Sequence, residues 1–415
     1  MHTAPVSVIV VSRARPAELA RCLAGVALQD HMDFEVVVVT DPAGTAALRR
    51  HGWTARIKIV AFDGDNISEA RNRGIAAAAG DICAFIDDDA VPEPTWLTRL
   101  TRPFDDPRVA AAGGFVRGRN GISFQWRAHL VDATGRTTPL AVGDTRPSLH
   151  AAAPGRAVKT EGTNMAVRRD VLCAIGGFDP AFRFYMDETD LNMRLAGHAG
   201  LTAIVPLAQV HHGVAASAHR RGDRVPTSLR EIGASTAVFL RKHAPEADWG
   251  RALQALETQQ RRRLLRHMVG GALEPRDVPR LMTDLFEGVE AGMHRPLGAS
   301  TAALAEPPPP FLRLEDTGPR PPCILAGWSW QHRRLMREAR DAAGAGALVT
   351  VFRFSPTALY HRMRFDPGGF WVQTGGLFGR AERESTLVRV TGFASRLRAE
   401  CNRLAPLRPV DTLLF

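Results

Sequence analysis

The sequence predicts an α/β fold: a mostly parallel sheet with helices on both faces, followed by C-terminal helices and a small α/β unit. Three observations predict it. In the first hundred residues, short β-branched runs alternate with helical patterns at the spacing of strand–crossover–strand units. Ser12, Asp41 and Asp87–Asp89 each close one of those runs, and open α/β sheets bind ligands at the carboxyl ends of their strands. A stiff Ala305–Pro310 stretch containing four consecutive prolines then precedes a second set of alternating runs.

Val6–Val11 is a buried-strand run, and Pro16 opens a helical pattern through Leu19, Leu23 and Val26. Phe34–Val39 is the second strand and Ile57–Ala61 the third. Ile67–Ala79 is a helix of small residues, and Asp81–Ile86 is the strand that stops at the three aspartates. Mixed short strands follow from Gly113 to about Val210, with a polar loop around 132–157 and a helix from about Asp187. Pro226–Ala244 and Arg251–Val269 read as helices. Beyond the prolines, strands are expected near 323–326 and 347–353, helices near 331–342 and 386–403, and a last strand at Val410–Phe415. This gives four segments: 1–225 as the main domain, 226–300 as a helical extension, 301–321 as a Pro-rich linker and 322–415 as the small α/β unit. Gly113-Gly114 and Gly176-Gly177 are expected at tight turns or close backbone approaches.

The composition, 45% hydrophobic and 23% charged over 415 residues, is that of a globular protein. No run approaches the ~20 apolar residues of a membrane span, and the N-terminus lacks a secretory pattern, so the expected location is cytoplasmic. The five cysteines are scattered and odd in number, which suits a reducing compartment. A net charge of +10 is compatible with a phosphorylated small molecule or an anionic membrane surface. The absence of nucleic-acid-binding signatures argues against nucleic acid. Arg261–Arg263 reads as a solvated helix face, with peripheral contact at the inner face of a membrane as the sharper alternative.

Three adjacent carboxylates at a strand end repel one another and raise each other's pKa. A divalent cation bound through one or two of them, together with substrate phosphate oxygens, resolves the conflict. Side chains alternate in an extended segment, so Asp87 and Asp89 face one way and Asp88 the other.

Three blocks now combine. The first is Asn66-Ile-Ser-Glu-Ala-Arg-Asn-Arg-Gly74, then Gly80–Asp89, then Pro92–Leu97. The second is Gly162–Arg169, Gly176–Pro180, Asp187-Glu-Thr-Asp-Leu191 and Arg194, and the third is His211-His212. In order and spacing, residues 5–215 resemble a family 2 glycosyltransferase of the GT-A fold. The resemblance implies a metal-dependent, inverting transfer of a sugar from a nucleoside-diphosphate-sugar, most commonly a UDP-sugar, to a hydroxyl of a glycan, lipid-linked or other acceptor. It implies Mn2+ or Mg2+ held by Asp89, with Asp87 and His211 completing the site. Ser12, Arg15, Asp41, Arg71, Asn72, Asp87 and Asp88 would line the donor pocket. Glu188 would be the general base, with Asp187 as the alternative. His219, Arg220, Arg221 and Arg224 would close over the diphosphate, and Tyr185 would shape the acceptor pocket. For Trp96 and Trp126 core packing is expected.

Two other functions compete. A nucleotidyltransferase would need a glycine-rich, lysine-containing loop after the first strand, which Ser12–Pro16 is not. A non-catalytic module binding a glycan or a partner would be expected to lose the acids at 87–89 or 187–188, and all five are present.

Overall fold

The computed structural model describes residues 4–198, 200–213, 215–298, 304 and 306–410. The chain opens as expected with β1 (Val6–Ser12), α1 (Pro16–Val26), β2 (Phe34–Thr40), α2 (Pro42–Arg50), β3 (Lys58–Ala61), α3 (Ile67–Ala77) and β4 (Ile82–Asp87). β1 pairs in parallel with both β2 and β4, and β2 with β3, giving the order β4-β1-β2-β3. The order reverses at β1, so a crevice opens between the ends of β1 and β4, where Val11 lies opposite Asp87.

β1 alternates between two cores. Val6, Val8 and Val10 pack with Leu19, Leu23 and Val26 of α1 on one face, while Ile9 packs with Ile75 of α3 on the other. Both faces are covered, which is why these strands read as continuous apolar runs.

The second half of the sheet is mixed. β5 (Ala90–Pro92) and α4 (Trp96–Thr101) lead to β6 (Val109–Arg117) and β7 (Phe124–Trp126). Next come β8 (His129–Asp132), β9 (Thr137–Pro139), β10 (Ser148–Ala151), β11 (Arg156–Lys159) and β12 (Met165–Arg168). The expected loop at 132–157 therefore carries two short strands, too exposed to show an apolar run. α5 (Arg169–Ala174), α6 (Asp187–Ala196) and β13 (Leu201–His212) complete the sheet, with β13 parallel to β6 and antiparallel to β5.

β13 bulges. Val205 pairs with Gly114 and Gln209 with Phe115, so residues 206–208 have no counterpart on β6. Gly114 makes room for the bulge, because a Cβ there would lie 1.9 Å from the carbonyl oxygen of Ala208. The Asn164 amide donates to the same oxygen at 2.8 Å and to that of Phe115 at 2.9 Å. Gly114→Ala is therefore expected to cost about 1–3 kcal/mol by overpacking, read as a lowered Tm. An unchanged Tm would mean that the close approach is slack. Gly176 and Gly177 instead take left-handed backbone, φ 81° and 66°.

α7 (Arg230–His243), α8 (Glu246–Val269) and α9 (Asp277–His294) form the helical extension; α9 was not foreseen. α7 grips the start of α6: Ser235 donates to the Phe184 carbonyl, and Lys242 and His243 both reach Asp190, at 2.7 and 2.8 Å.

The Pro-rich stretch is no free spacer. Pro307–Pro309 line a shallow pocket with Val60, Ala76 and Ala77, Lys58 donates to the Pro309 carbonyl at 3.4 Å, and Leu314 is buried in the core beside α1 and β2. Buried Glu35 on β2 binds Lys58 at 2.8 Å and accepts from the Leu312 amide at 2.8 Å.

Beyond it, β14 (Pro322–Trp328), α10 (His332–Gly344), β15 (Leu348–Ser355), β16 (Arg362–Asp366), β17 (Phe370–Gly376) and α11 (Phe393–Leu404) form a second sheet, ordered β14-β15-β17-β16. The hairpin β16–β17 was not anticipated, and the last helix starts seven residues later than expected. Most of the expected strand at Val410–Phe415 lies outside the described residues.

Candidate active site

A cleft of about 850 Å³ opens at the crevice between β1 and β4. Of the residues expected there, Ser12, Arg15, Asp41, Arg71, Asp87, Asp88, Asp89, Asp187 and Glu188 all line it, together with Tyr185, His219 and Arg220. Arg221 instead pairs with exposed Asp223.

The β1 side is built from local polar bonds. Asp41 caps α2 by accepting from the Gly44 amide and also accepts from the amide of Ala14, both at 2.8 Å. That second bond pins Ala14 in left-handed backbone, φ 58°. Ser12 donates to Asp88 at 2.8 Å, and Arg15 pairs with Asp88 at 2.9 Å and Asp89 at 3.6 Å. Both oxygens of Asp88 are thereby engaged, and it is a wall of the cleft. Burial pushes its carboxyl up to about 7 against the pull of Arg15.

Asp87, Asp89 and His212 offer one ligand atom each, all within 4.8 Å of one another. His212 Nε2 is 3.1 Å from Asp89, and its Nδ1 is buried without a hydrogen-bond partner. Burial would raise Asp89, but the His212 hydrogen bond and charge, with the Ala215 amide and Arg15, hold it well below the usual carboxylate range. Two carboxylates and an imidazole fit a divalent cation that accepts oxygen and nitrogen ligands.

Two expectations need correction. His211 is not in this cluster. Adjacent residues on a strand point to opposite faces, so His211 turns away from the acids and meets Glu93 at 2.7 Å and the Trp371 ring at 4.5 Å. Burial lowers its pKa to about 4 despite Glu93. Asn72 does not line the cleft either. It faces the Gly177 turn, donating to the Phe178 carbonyl at 2.7 Å and accepting from the Phe178 amide at 2.8 Å.

The opposite wall is the start of α6. Tyr185 and Met186 precede it in left-handed backbone, φ 73° and 64°, a costly conformation for non-glycine residues that the α7 contacts hold in place. Arg71, almost fully buried, joins the two walls: it pairs with Asp187 and reaches Asp87 at 3.3 Å. Burial raises the Asp187 carboxyl, and Arg71 opposes it. Glu188 moves the other way. Burial would raise it, but Lys159 and Arg71 lower it, so it stands as a carboxylate.

Sequence reasoning missed Lys159 and Glu161, which flank Glu188; an isolated Lys-x-Glu at a strand end carries no signal of its own. Trp96 is a core residue bonded to Asn164 at 2.7 Å, whereas Trp126 lines the cleft.

This is an α/β domain with two acidic centres, Asp87/Asp89 with His212 and Asp187/Glu188, facing each other across one cleft. Comparison with known proteins gives the family. Residues 7–173 match the model of glycosyl transferase family 2, and this region is a family 2 glycosyltransferase domain. The pre-mycofactocin glycosyltransferase of Mycobacterium tuberculosis is 29% identical over 183 residues, 43% of this chain and 34% of that protein. The succinoglycan biosynthesis protein ExoM of Rhizobium meliloti is 28% identical over 221 residues, 50% of this chain and 66% of that protein. The chain thus spans about a third of the first relative's length and two thirds of the second's. Among solved structures, the mannosyltransferase PcManGT of Pyrobaculum calidifontis, in complex with GDP-Man and Mn2+, superposes with a TM-score of 0.44 at 18% identity, covering 71% of this chain and 88% of that one. Among the described residues, no helix is long and apolar enough to cross a membrane.

Proposed function

We propose that this chain is an inverting, metal-dependent glycosyltransferase moving a sugar from a nucleoside-diphosphate-sugar, a UDP-sugar by family expectation, to a glycan or lipid-linked hydroxyl. The observation that carries this reading is the pairing of two acidic centres in one cleft, Asp87/Asp89/His212 on one wall and Asp187/Glu188 on the other, bridged by Arg71. The proposed division of labour puts chemistry in 1–225, support of α6 in 226–300, and the linker and small unit in 301–321 and 322–415. The proposed setting is cytoplasmic, at the inner membrane face; exposed Arg251, Arg262 and Arg266 on α8 fit an anionic surface.

Asp87, Asp89 and His212 would hold the cation, which when bound neutralises the departing diphosphate as a Lewis acid. Arg15 and Arg220 at the cleft add positive charge beside the phosphates. Asp41 and Ala14 shape the edge where the nucleoside sits. Glu188 draws the proton from the acceptor hydroxyl as that oxygen attacks the anomeric carbon. Attack from the face opposite the leaving group inverts the anomeric configuration. Asp187 holds Arg71 in place.

An imidazole ligand suits Mn2+ better than Mg2+, which prefers oxygen alone and strict octahedral geometry. In a donor screen, nucleoside-diphosphate release is expected with one donor class, faster with Mn2+ than with Mg2+. Release should fall to background in Asp89→Ala and drop sharply in His212→Ala, with His211→Ala far milder on metal affinity. Release undiminished in Asp89→Ala would refute the reading.

A further inference from the structure

The buried ammonium of Lys159 is surrounded on three sides. It pairs with Glu161, lies 3.3 Å from Glu188 Oε1, and sits 4.4 Å over the Trp126 ring. Lys159 is only 8% exposed, so water does little to solvate it. Its place is fixed from the next residue: Thr160 donates to Asn192 of α6 at 2.8 Å, and the Asn192 amide donates back to the Thr160 carbonyl at 2.9 Å. The end of β11 is thereby stitched to the helix that bears Glu188.

We propose that Lys159 and Glu161 are positioning residues that form a standing ion pair beside Glu188, so that Glu188 can take up the acceptor's proton without stranding a buried charge. This rests on the reading of Glu188 as the base. In the transfer step the acceptor O–H bond breaks and its proton goes to a Glu188 oxygen. The acceptor oxygen forms the bond to the anomeric carbon, and the bond from that carbon to the diphosphate breaks with its electron pair leaving on the phosphate oxygen. Before the step the trio of Glu188, Lys159 and Glu161 carries −1, and after it 0, with Lys159 still paired. Were Glu161 neutral, the same step would run from 0 to +1 and leave a buried ammonium alone, a costly product.

The ion pair with Lys159 is what opposes protonation of Glu161. Burial raises Glu161, with Lys159 opposing and Glu188 and Asp87 adding to the rise. Facing the trio from other elements are Arg71 on α3, Asp87 on β4, Tyr185 and Asp187 at the start of α6, and, toward Tyr185, Arg263 on α8.

The test is the pH dependence of kcat in two variants, each checked for a wild-type Tm. In Glu161→Gln, Lys159 serves Glu188 alone and holds it charged to lower pH. The acid limb should move down and kcat should fall roughly tenfold to a hundredfold, with donor KM little changed. In Lys159→Met, Glu188 loses its ammonium beside a second carboxylate, and the acid limb should move up. Lys159→Arg should restore most of the profile. Limbs that move together, or an unmoved limb with wild-type kcat in Glu161→Gln, overturn the proposal. Glu161→Gln is nearly isosteric and decides the matter alone if Lys159→Met fails to fold. An active wild type with unaltered variants sinks this inference only; a wild type inert with every donor and metal sinks the reading beneath it as well.

Discussion

Glu188→Gln is expected to lower turnover by roughly 10²–10⁴, the usual contribution of a positioned general base, while binding of nucleoside diphosphate with Mn2+ is retained. The reason is spatial. Glu188 lies on the α6 wall, held by Lys159 and by the Thr189 hydroxyl at 3.2 Å, away from the Asp87–Asp89–His212 cluster. The amide keeps the shape and removes only the proton acceptor. Asp187→Asn should behave differently. Asp187 is consumed by Arg71, which also touches Asp87, so its loss loosens both walls and weakens donor binding along with turnover. Single-turnover rates and titration with nucleoside diphosphate separate the two. Equal loss of binding in both variants would deny Glu188 the role of base.

Arg408→Met is expected to destabilise the fold by about 3–5 kcal/mol, because it strands a buried carboxylate. Arg408 and Glu93 are both fully buried. The guanidinium grips both Glu93 oxygens, at 2.9 and 2.6 Å, and lies 4.2 Å over the Trp371 ring, while Glu93 also holds His211. This cluster joins the second sheet to the segment following β5. Burial would raise Glu93, but Arg408 and His211 bring it down from 4.5 to about 2. A folded-state pKa below the unfolded one stabilises above the unfolded value and is lost as pH falls through the folded one. The Glu93 contribution is therefore full above about 4.5 and fades toward 2. Urea melts at pH 7 should reveal the loss in Arg408→Met, with Glu93→Gln recovering part of it. A wild-type midpoint would mean that the cluster is dispensable.

Much of the N-terminal half was legible because its signals are local. β-branched runs, proline at the start of α1 and Asn66 capping α3 each act within a few residues. The acids were legible for the same reason, since three carboxylates in a row need an explanation wherever they fall. What stayed hidden depends on distant partners. Asn72 has a polar side chain in a suggestive motif, yet its amide is spent on Phe178, over a hundred positions away. Lys159 and Glu161 gain meaning only because Thr160 and Asn192 bring β11 against α6. The Pro-rich stretch has the composition of a spacer, but Glu35 and the pocket for Leu314 give it a seat.

The bulge in β13 has a consequence of parity. Before it, the odd-numbered residues Ala203 and Val205 face the core that α4 covers; after it, the even-numbered Ala208 and Val210 do. Three surplus residues have swapped odd for even, and His212 rather than His211 comes round to the aspartates. Without the surplus the odd-numbered side chains would keep that face and His212 would turn away from it. Which histidine faces the aspartates is therefore written upstream, in the Cβ that Gly114 lacks and in the amide that Asn164 spends on Ala208.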